Sequence, residues 1–577
     1  MYLYFLICCL KLAAKVRKKN LNVRQLAQKK GDPFEVTLSL SSRFCQKTGD
    51  YSSRFYQKSG VFSSRFYQKV LFTFTHLANH SPKKAEKRFV ISLDFFIFSL
   101  IIYLDNFVFV FLQTKDKTNM YYKRIIDQYL SEWASRPIHK PVLIRGARQV
   151  GKSTAVKHLG EQFKYYVEIN LEKQPDYKAL FKPNLNVKRI VPEIAAMCGT
   201  PIIAGETLLF IDEIQDCVEA IMALRYFKED LPGLHVVAAG SLLEFVLDDI
   251  PTFGVGRIHS MYMYPMTFDE FLEANDEMLL LEARDQASPE SPLAAPLHDK
   301  LTSLIRTFML VGGMPESVAK WVETHDYLQC QEVQDDIITG YEADFPKYKK
   351  KVDPQLLRLT MRSAAQQATK KFMYSQVPGG YKTAEVKKAL ELLIKANIII
   401  PVTHTNANGL PLGDERDDSY RKMLLLDTGL MLRLLNMTMG DITEITTHIL
   451  TATAADLVNK GPMAEMLAGL ELLHYRSPNL QYELFYWVRQ SKNATAEVDY
   501  ILPYNMQVMP FEVKAGVQGG MKSLWDFMRD KQLFQAFRCS LENFGKIDYI
   551  DEKDEKNKKA VRHVRIYPLY AIHSLKF

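Results

Sequence analysis

The run Gly146-Ala147-Arg148-Gln149-Val150-Gly151-Lys152-Ser153 constrains this chain more than any other stretch. It has the form G-x-x-x-x-G-K-[ST]. Before it, Lys140–Arg145 (KPVLIR) reads as a short buried strand, and a helical pattern follows. Gly146 and Gly151 allow the backbone to curl close to a phosphate. The N–H groups of Ala147, Arg148, Gln149 and Val150 can then point inward, and the next helix adds positive potential at its N-terminus. Lys152 is expected to reach the β- and γ-phosphates, and Ser153, with Thr154 beside it, to hold Mg²⁺. ATP and Mg²⁺ are therefore the expected ligands.

An acidic strand end supports this reading. Leu208–Ile211 is an apolar run ending in Asp212-Glu213. A buried parallel strand carrying acids at its C-terminal end is where a metal partner belongs. Asp212 is expected to bind the metal and Glu213 to polarise the attacking water. Further strands are expected at Tyr165–Leu171, His235–Ala239 and Ile258–Tyr264, with a helix over 218–230. Ser241, just past the fourth strand, is a candidate sensor of the γ-phosphate, or simply a helix N-cap. Strands alternating with helices predict a parallel α/β sheet.

The stretches GARQVGKST, LLFIDEIQ, AAGSLLEF, GRIHSMYMYPMTFDEFL and VGGMPESV run through roughly 120–320. They resemble the AAA+ superfamily, in the prokaryotic branch where an AAA module precedes an uncharacterised nuclease-like domain. That resemblance implies the strand order 5-1-4-3-2 and ATP hydrolysis that depends on an oligomer or a protein partner. It also makes Arg257 a candidate arginine finger or sensor, the alternative being a surface ion pair.

The first 119 residues differ from the rest. They hold 20 Lys and Arg against 7 Asp and Glu, so the whole-chain net charge of +8 hides a mildly acidic remainder. A general affinity for nucleic acid cannot be read from such a charge. SSRFCQK at 41–47 returns as SSRFYQK at 52–58 and 63–69, too short a period for a solenoid unit. Residues 89–112 are apolar enough to span a bilayer but contain Asp94 and Asp105. Met120 opens a helical start. The expectation is that 1–119 is an over-extended start, the competing reading being a membrane anchor at 89–112. The seven cysteines form no CxxC or Cys/His cluster, which fits a reducing cytoplasm.

Residues 267–335 read as helices, broken at 288–296 and at Gly312–Pro315, and are expected to form a helical lid. Over 336–450 a winged-helix-like unit is expected. It comprises a helix at Thr383–Ala396 capped by Thr383, a strand at Ile398–Val402, a turn at Asn406–Gly409 and a returning strand at Lys422–Leu426. Lys387, Lys388 and Lys395 read as a solvated face. Asp427-Thr428-Gly429-Leu430 is expected to be a structural turn.

The second chemical signal lies in 451–577. Glu497–Leu502 alternates like a strand, Pro503–Asn505 can turn the chain, and Val508–Lys514 can return. Residues two apart on a strand share a face. Glu497 then shares one with Asp499, Glu512 shares one with Lys514, and a hairpin brings Asp499 beside Glu512. Carboxylates near a lysine can hold Mg²⁺ against a phosphodiester, or form a cross-strand ion-pair patch. Asp499, Glu512-x-Lys514 and Glu465 on the preceding helix resemble the PD-(D/E)xK restriction-endonuclease-like superfamily. Tyr486-Trp487 fits its YWR-type stretch, although Val488 precedes Arg489. The resemblance implies Glu465, Asp499 and Glu512 as metal ligands, Lys514 as a catalytic group and DNA as a partner. A regulatory ATPase with a non-catalytic binding module at its C-terminus is the alternative.

Overall fold

The computed structural model describes residues 121–575, apart from 242, 248–255, 349–351, 436–459, 490–495, 517–519 and 558–559. The repeats and the apolar stretch at 89–112 lie outside the described residues.

Five short strands form the first sheet: β1 (Val142–Arg145), β2 (Tyr165–Asn170), β3 (Thr207–Asp212), β4 (His235–Ala239) and β5 (His259–Tyr262). Their order is β2-β3-β4-β1-β5, every neighbouring pair is parallel, and the expected order is confirmed. All six residues of β3 and all five of β4 are buried. Helices cover both faces of such a sheet, which is why these strands read as continuous apolar runs. Truncating Leu209 or Phe210, both fully buried, is expected to cost about 2–5 kcal/mol.

The helical region follows as Phe268–Ala274, Met278–Asp285, Ala295–Val311, Pro315–Thr324 and Tyr327–Asp344. The last helix runs nine residues past the expected end of the lid at 335. Thr267 caps the first of these helices, accepting from Glu270 N while the Glu270 carboxylate accepts from Thr267 N.

Eight strands form the second, mixed sheet: β6 (Ile399–Thr405), β7 (Arg416–Leu425), β8 (Leu484–Val488), β9 (Glu497–Tyr504), β10 (Gln507–Val513), β11 (Gln535–Ser540), β12 (Gly545–Asp551) and β13 (Ala560–Pro568). Their order is β12-β13-β11-β10-β9-β8-β6-β7. The β6–β7 hairpin therefore does not stand apart as a wing. β6 pairs in parallel with β8, so one sheet runs across the boundary expected at 450/451.

Two local expectations are corrected. Thr383 is the first residue of its helix rather than its cap; the cap is Lys382, whose N–H donates to the Glu385 carboxylate at 2.9 Å. Pro503 lies inside β9, and the hairpin turns at Asn505-Met506, both with positive φ. That is the two-residue turn whose twist matches antiparallel strands. Asp427 does serve as a structural turn. It caps the helix Thr428–Leu434, accepting from Leu430 N at 2.9 Å, and also accepts from Gly313 N at 2.5 Å. Among the described residues, no helix is long and apolar enough to cross a membrane.

Candidate functional site

The phosphate-binding loop leaves β1 in a conformation only glycine tolerates at its first position. Gly146 has φ of 144°, and a Cβ there would stand 2.1 Å from Met263 O. Gly151, at φ of 97°, caps the helix α1 (Lys152–Gly160). Gln149 also has positive φ. Buried Arg124 fixes the far side of the loop: it donates to Val150 O (2.8 Å) and Tyr264 O (2.7 Å) and pairs with Glu270 at 3.0 Å. Neither Arg124 nor Glu270 was singled out by the motif, because both lie outside its contiguous run.

Lys152 is buried, and its ammonium donates to Gly146 O (3.0 Å) and Ala147 O (2.6 Å). Burial pushes its pKa down to about 8, against the opposing pull of Glu213 and Asp212. Two neutral carbonyls are weak compensation for a desolvated ammonium, and phosphate oxygens would be stronger acceptors. Asp212, buried at the end of β3, accepts from Ser153 Oγ at 3.1 and 3.2 Å, Asn170 Nδ2 at 3.1 Å and Glu213 N at 3.1 Å. Ser153 and Asp212 thus meet as a hard-oxygen pair that fits Mg²⁺. Glu213, half-buried with φ of 48°, is oriented by Gln215, whose amide donates to its carboxylate at 2.6 Å. Ala147 and Val150 are buried, Thr154 is exposed, and Ser241 is buried just past β4.

The loop is latched to the helical region. Arg148 pairs with Asp344 at 2.7 Å, and Tyr341 Oη donates to Arg148 O at 2.7 Å. Arg257 lies elsewhere. It precedes β5, at the end of the sheet opposite the loop, and pairs with Glu229. One four-residue strand, roughly 13 Å, separates these edges.

The second cluster forms where β7, β9, β10 and the helix α2 (Lys460–His474) converge. In the β9–β10 ladder Phe511 faces Tyr500, and Val513 N donates to Asp499 Oδ2 at 2.8 Å, so Asp499 and Glu512 are neighbours as expected. Glu497 joins two of the expected ligands. Carboxylate oxygens of Glu465, Glu497 and Asp499 lie within 4.8 Å of one another. Glu512 instead bonds Lys514, and its Oε2 is buried with no hydrogen-bond partner among the described residues. Burial, reinforced by Asp499, pushes Glu512 up to about 8.

Sequence reasoning missed Lys422. It sits on β7, 1% exposed, with its ammonium 2.7 Å from Glu465 Oε1, bonded also to Glu497, and 4.9 Å from the centre of the Tyr486 ring. Burial works against its charge, but Glu465, Asp499 and Glu497 outweigh it and hold the pKa above the usual lysine range. Burial pushes Glu465 up to about 8, partly offset by Lys422. A charged residue heading the otherwise apolar run KMLLL was the available signal. Lys422 thus bonds two of the three clustered carboxylates, Glu465 and Glu497.

Helix α2 touches both regions. Near its start it carries Glu465. Near its end Glu471 accepts from Phe268 N at 3.2 Å, and His474 stacks on Tyr264 at 4.9 Å, the residue whose carbonyl Arg124 holds. Tyr475, just beyond it, accepts from Asp269 N at 3.2 Å.

Comparison with known proteins agrees with the first site. Residues 138–272 match a family described as an AAA domain. Residues 302–441 and 460–565 match two families described as domains of unknown function, DUF8612 and DUF4143. No curated protein matches the chain. Among solved structures, the Walker-type ATPase paby2304 of Pyrococcus abyssi is 16% identical, covering 55% of this chain and 96% of that one, with a TM-score of 0.34. The Hsp104–ADP complex of S. cerevisiae is 11% identical, covering 49% and 40%, with a TM-score of 0.23. Unliganded Pif1 from Bacteroides sp is 19% identical, covering 29% and 53%, with a TM-score of 0.16. The family match and the loop geometry together make residues 138–272 an ATP-binding domain of the AAA type.

Proposed function

We propose that this chain hydrolyses ATP with Mg²⁺ and uses the cycle to control a C-terminal module, nuclease-like in its residues, that holds a macromolecular partner without cutting it. The ATPase half is carried by one observation: Ser153 Oγ and the Asp212 carboxylate meet at 3.1–3.2 Å beside a lysine that hydrogen-bonds loop carbonyls. Ser153 and Asp212 would hold Mg²⁺, which would supply neutralisation of phosphate charge when bound. Around it, Lys152 exchanges its carbonyl partners for phosphate oxygens. Ser153 and Asp212 present oxygen ligands. Glu213, held by Gln215, orients a water. The backbone N–H groups of the loop bind the remaining phosphate charge.

Transmission runs along α2, which meets the ATPase at Glu471 and His474 and the acid cluster at Glu465. The proposed division is ATPase 120–266, helical lid 267–335, middle unit 336–450 and C-terminal module 451–577, with the second sheet joining the last two. DNA is the partner that the nuclease-like resemblance suggests. A second copy of the chain or another protein is the partner that the AAA+ resemblance suggests, with Arg257 then acting across the interface. The scattered cysteines, four of them free among the described residues, suggest the cytoplasm.

The alternative, a Mg²⁺-dependent nuclease using Asp499, Glu512, Lys514 and Glu465, is favoured by the neighbouring Asp499 and Glu512. It is opposed by Lys422. DNA nicking by the full chain, with and without ATP, separates the two. The proposal expects ATP turnover and no nicking beyond that of Asp499→Ala. Nicking that vanishes in Asp499→Ala would establish the nuclease.

A further inference from the structure

The acid cluster raises a question of charge balance. Glu465, Glu497 and Asp499 bring their oxygens within 4.8 Å of one another, and carboxylates so close are stabilised by a cation beside them. We propose that Lys422 is that cation: its ammonium takes up Glu465, a carboxylate that the nuclease-like resemblance assigns to a divalent metal. Four features support the assignment. The lysine is 1% exposed, so its charge faces inward. The ammonium bonds two of the three carboxylates, Glu465 at 2.7 Å and Glu497. The Tyr486 ring, 4.9 Å away, provides a cation–π contact on another side. Met423, Leu424 and Leu425, the next residues of β7, are buried at 0–1% exposure and fix the strand from which the lysine projects.

On this assignment the ammonium and a metal compete for the same carboxylates. Mg²⁺ takes oxygen ligands at about 2.1 Å with near-octahedral demand. An ion bound so to Glu465 would sit within a few ångströms of Nζ, where like charges in a buried site repel strongly. Lys422 also arrives from β7, on the other side of 436–459 from Glu465 and Asp499, so the β6–β7 hairpin supplies the cation for a cluster built otherwise by α2 and β9. This inference deepens the non-cutting half of the proposed function and is independent of its ATPase half.

The test uses the nucleotide-free full chain and Mn²⁺ as the probe, with free Mn²⁺ measured by electron paramagnetic resonance. Wild type and Asp499→Asn are expected to bind Mn²⁺ alike. Lys422→Gln is expected to gain one site, roughly tenfold or more tighter than anything in wild type, and its melting temperature is expected to rise with Mn²⁺. Lys422→Gln/Asp499→Asn should lose that gain. A wild-type site that disappears in Asp499→Asn would overturn the proposal, and so would a folded Lys422→Gln with no Asp499-dependent site. Should Lys422→Gln fail to fold, the wild-type and Asp499→Asn pair decides alone: identical binding supports the assignment, and Asp499-dependent binding overturns it. Nicking and ATP turnover report on the proposed function separately, since a cluster that binds Mn²⁺ need not cut.

Discussion

Lys152 and Lys422 are both buried lysines near carboxylates, yet their environments push them in opposite directions. Lys152 rests on Gly146 O and Ala147 O, and its pKa falls to about 8. Lys422 rests on Glu465 and Glu497, and its pKa rises above the usual lysine range. The first ammonium hydrogen-bonds neutral carbonyls, with its acids acting only at a distance, and gains by meeting an anion. The second already has its anions. Burial alone therefore does not mark a working lysine; the identity of its partners does.

Substitutions can break this contrast. Glu213→Gln is expected to lower ATP turnover by roughly 10²–10³-fold while ATP affinity stays close to wild type, because it removes the base and not the phosphate contacts. Turnover and binding measured on the same preparation check this; a parallel loss of affinity would mean that Glu213 is structural. Lys422→Met is expected to leave Glu465 buried and uncompensated and to cost about 3–5 kcal/mol of stability. Urea unfolding checks it, and the double variant Lys422→Met/Glu465→Gln should recover much of the loss.

Acid should act on the ATPase sheet through His235. Burial, with neighbouring His139, pushes its pKa down from 6.5 to about 4. The unfolded chain then binds more protons between those values. The stability contribution is present above pH 6.5 and is lost as pH falls towards 4, on the order of 3 kcal/mol. Thermal melts across that range check the sign. The smallest effect is expected for Arg257→Ala. Arg257 is about half exposed in its pair with Glu229, so stability should move by less than about 1 kcal/mol and nucleotide affinity of the single chain not at all.

The first site was legible because its chemistry is local. Eight contiguous residues set the loop, and the IDE strand end follows as an apolar run. What surrounds it was not: Arg124 reaches Glu270 across 146 positions and holds the loop through its backbone. The second site was half legible. Period-two spacing gave the Asp499–Glu512 neighbourhood, but spacing within a hairpin carries no information about a strand from another hairpin. Lys422, 43 positions from Glu465, enters only because β6 pairs with β8. The same pairing turned an expected wing into part of a sheet.

The most direct test of the contrast is a Mn²⁺ titration of the full chain with and without ATP, repeated on Asp212→Asn and Asp499→Asn. The account predicts one ATP-dependent Mn²⁺ site, lost in Asp212→Asn and unchanged in Asp499→Asn. A Mn²⁺ site that forms without ATP and vanishes in Asp499→Asn would contradict it.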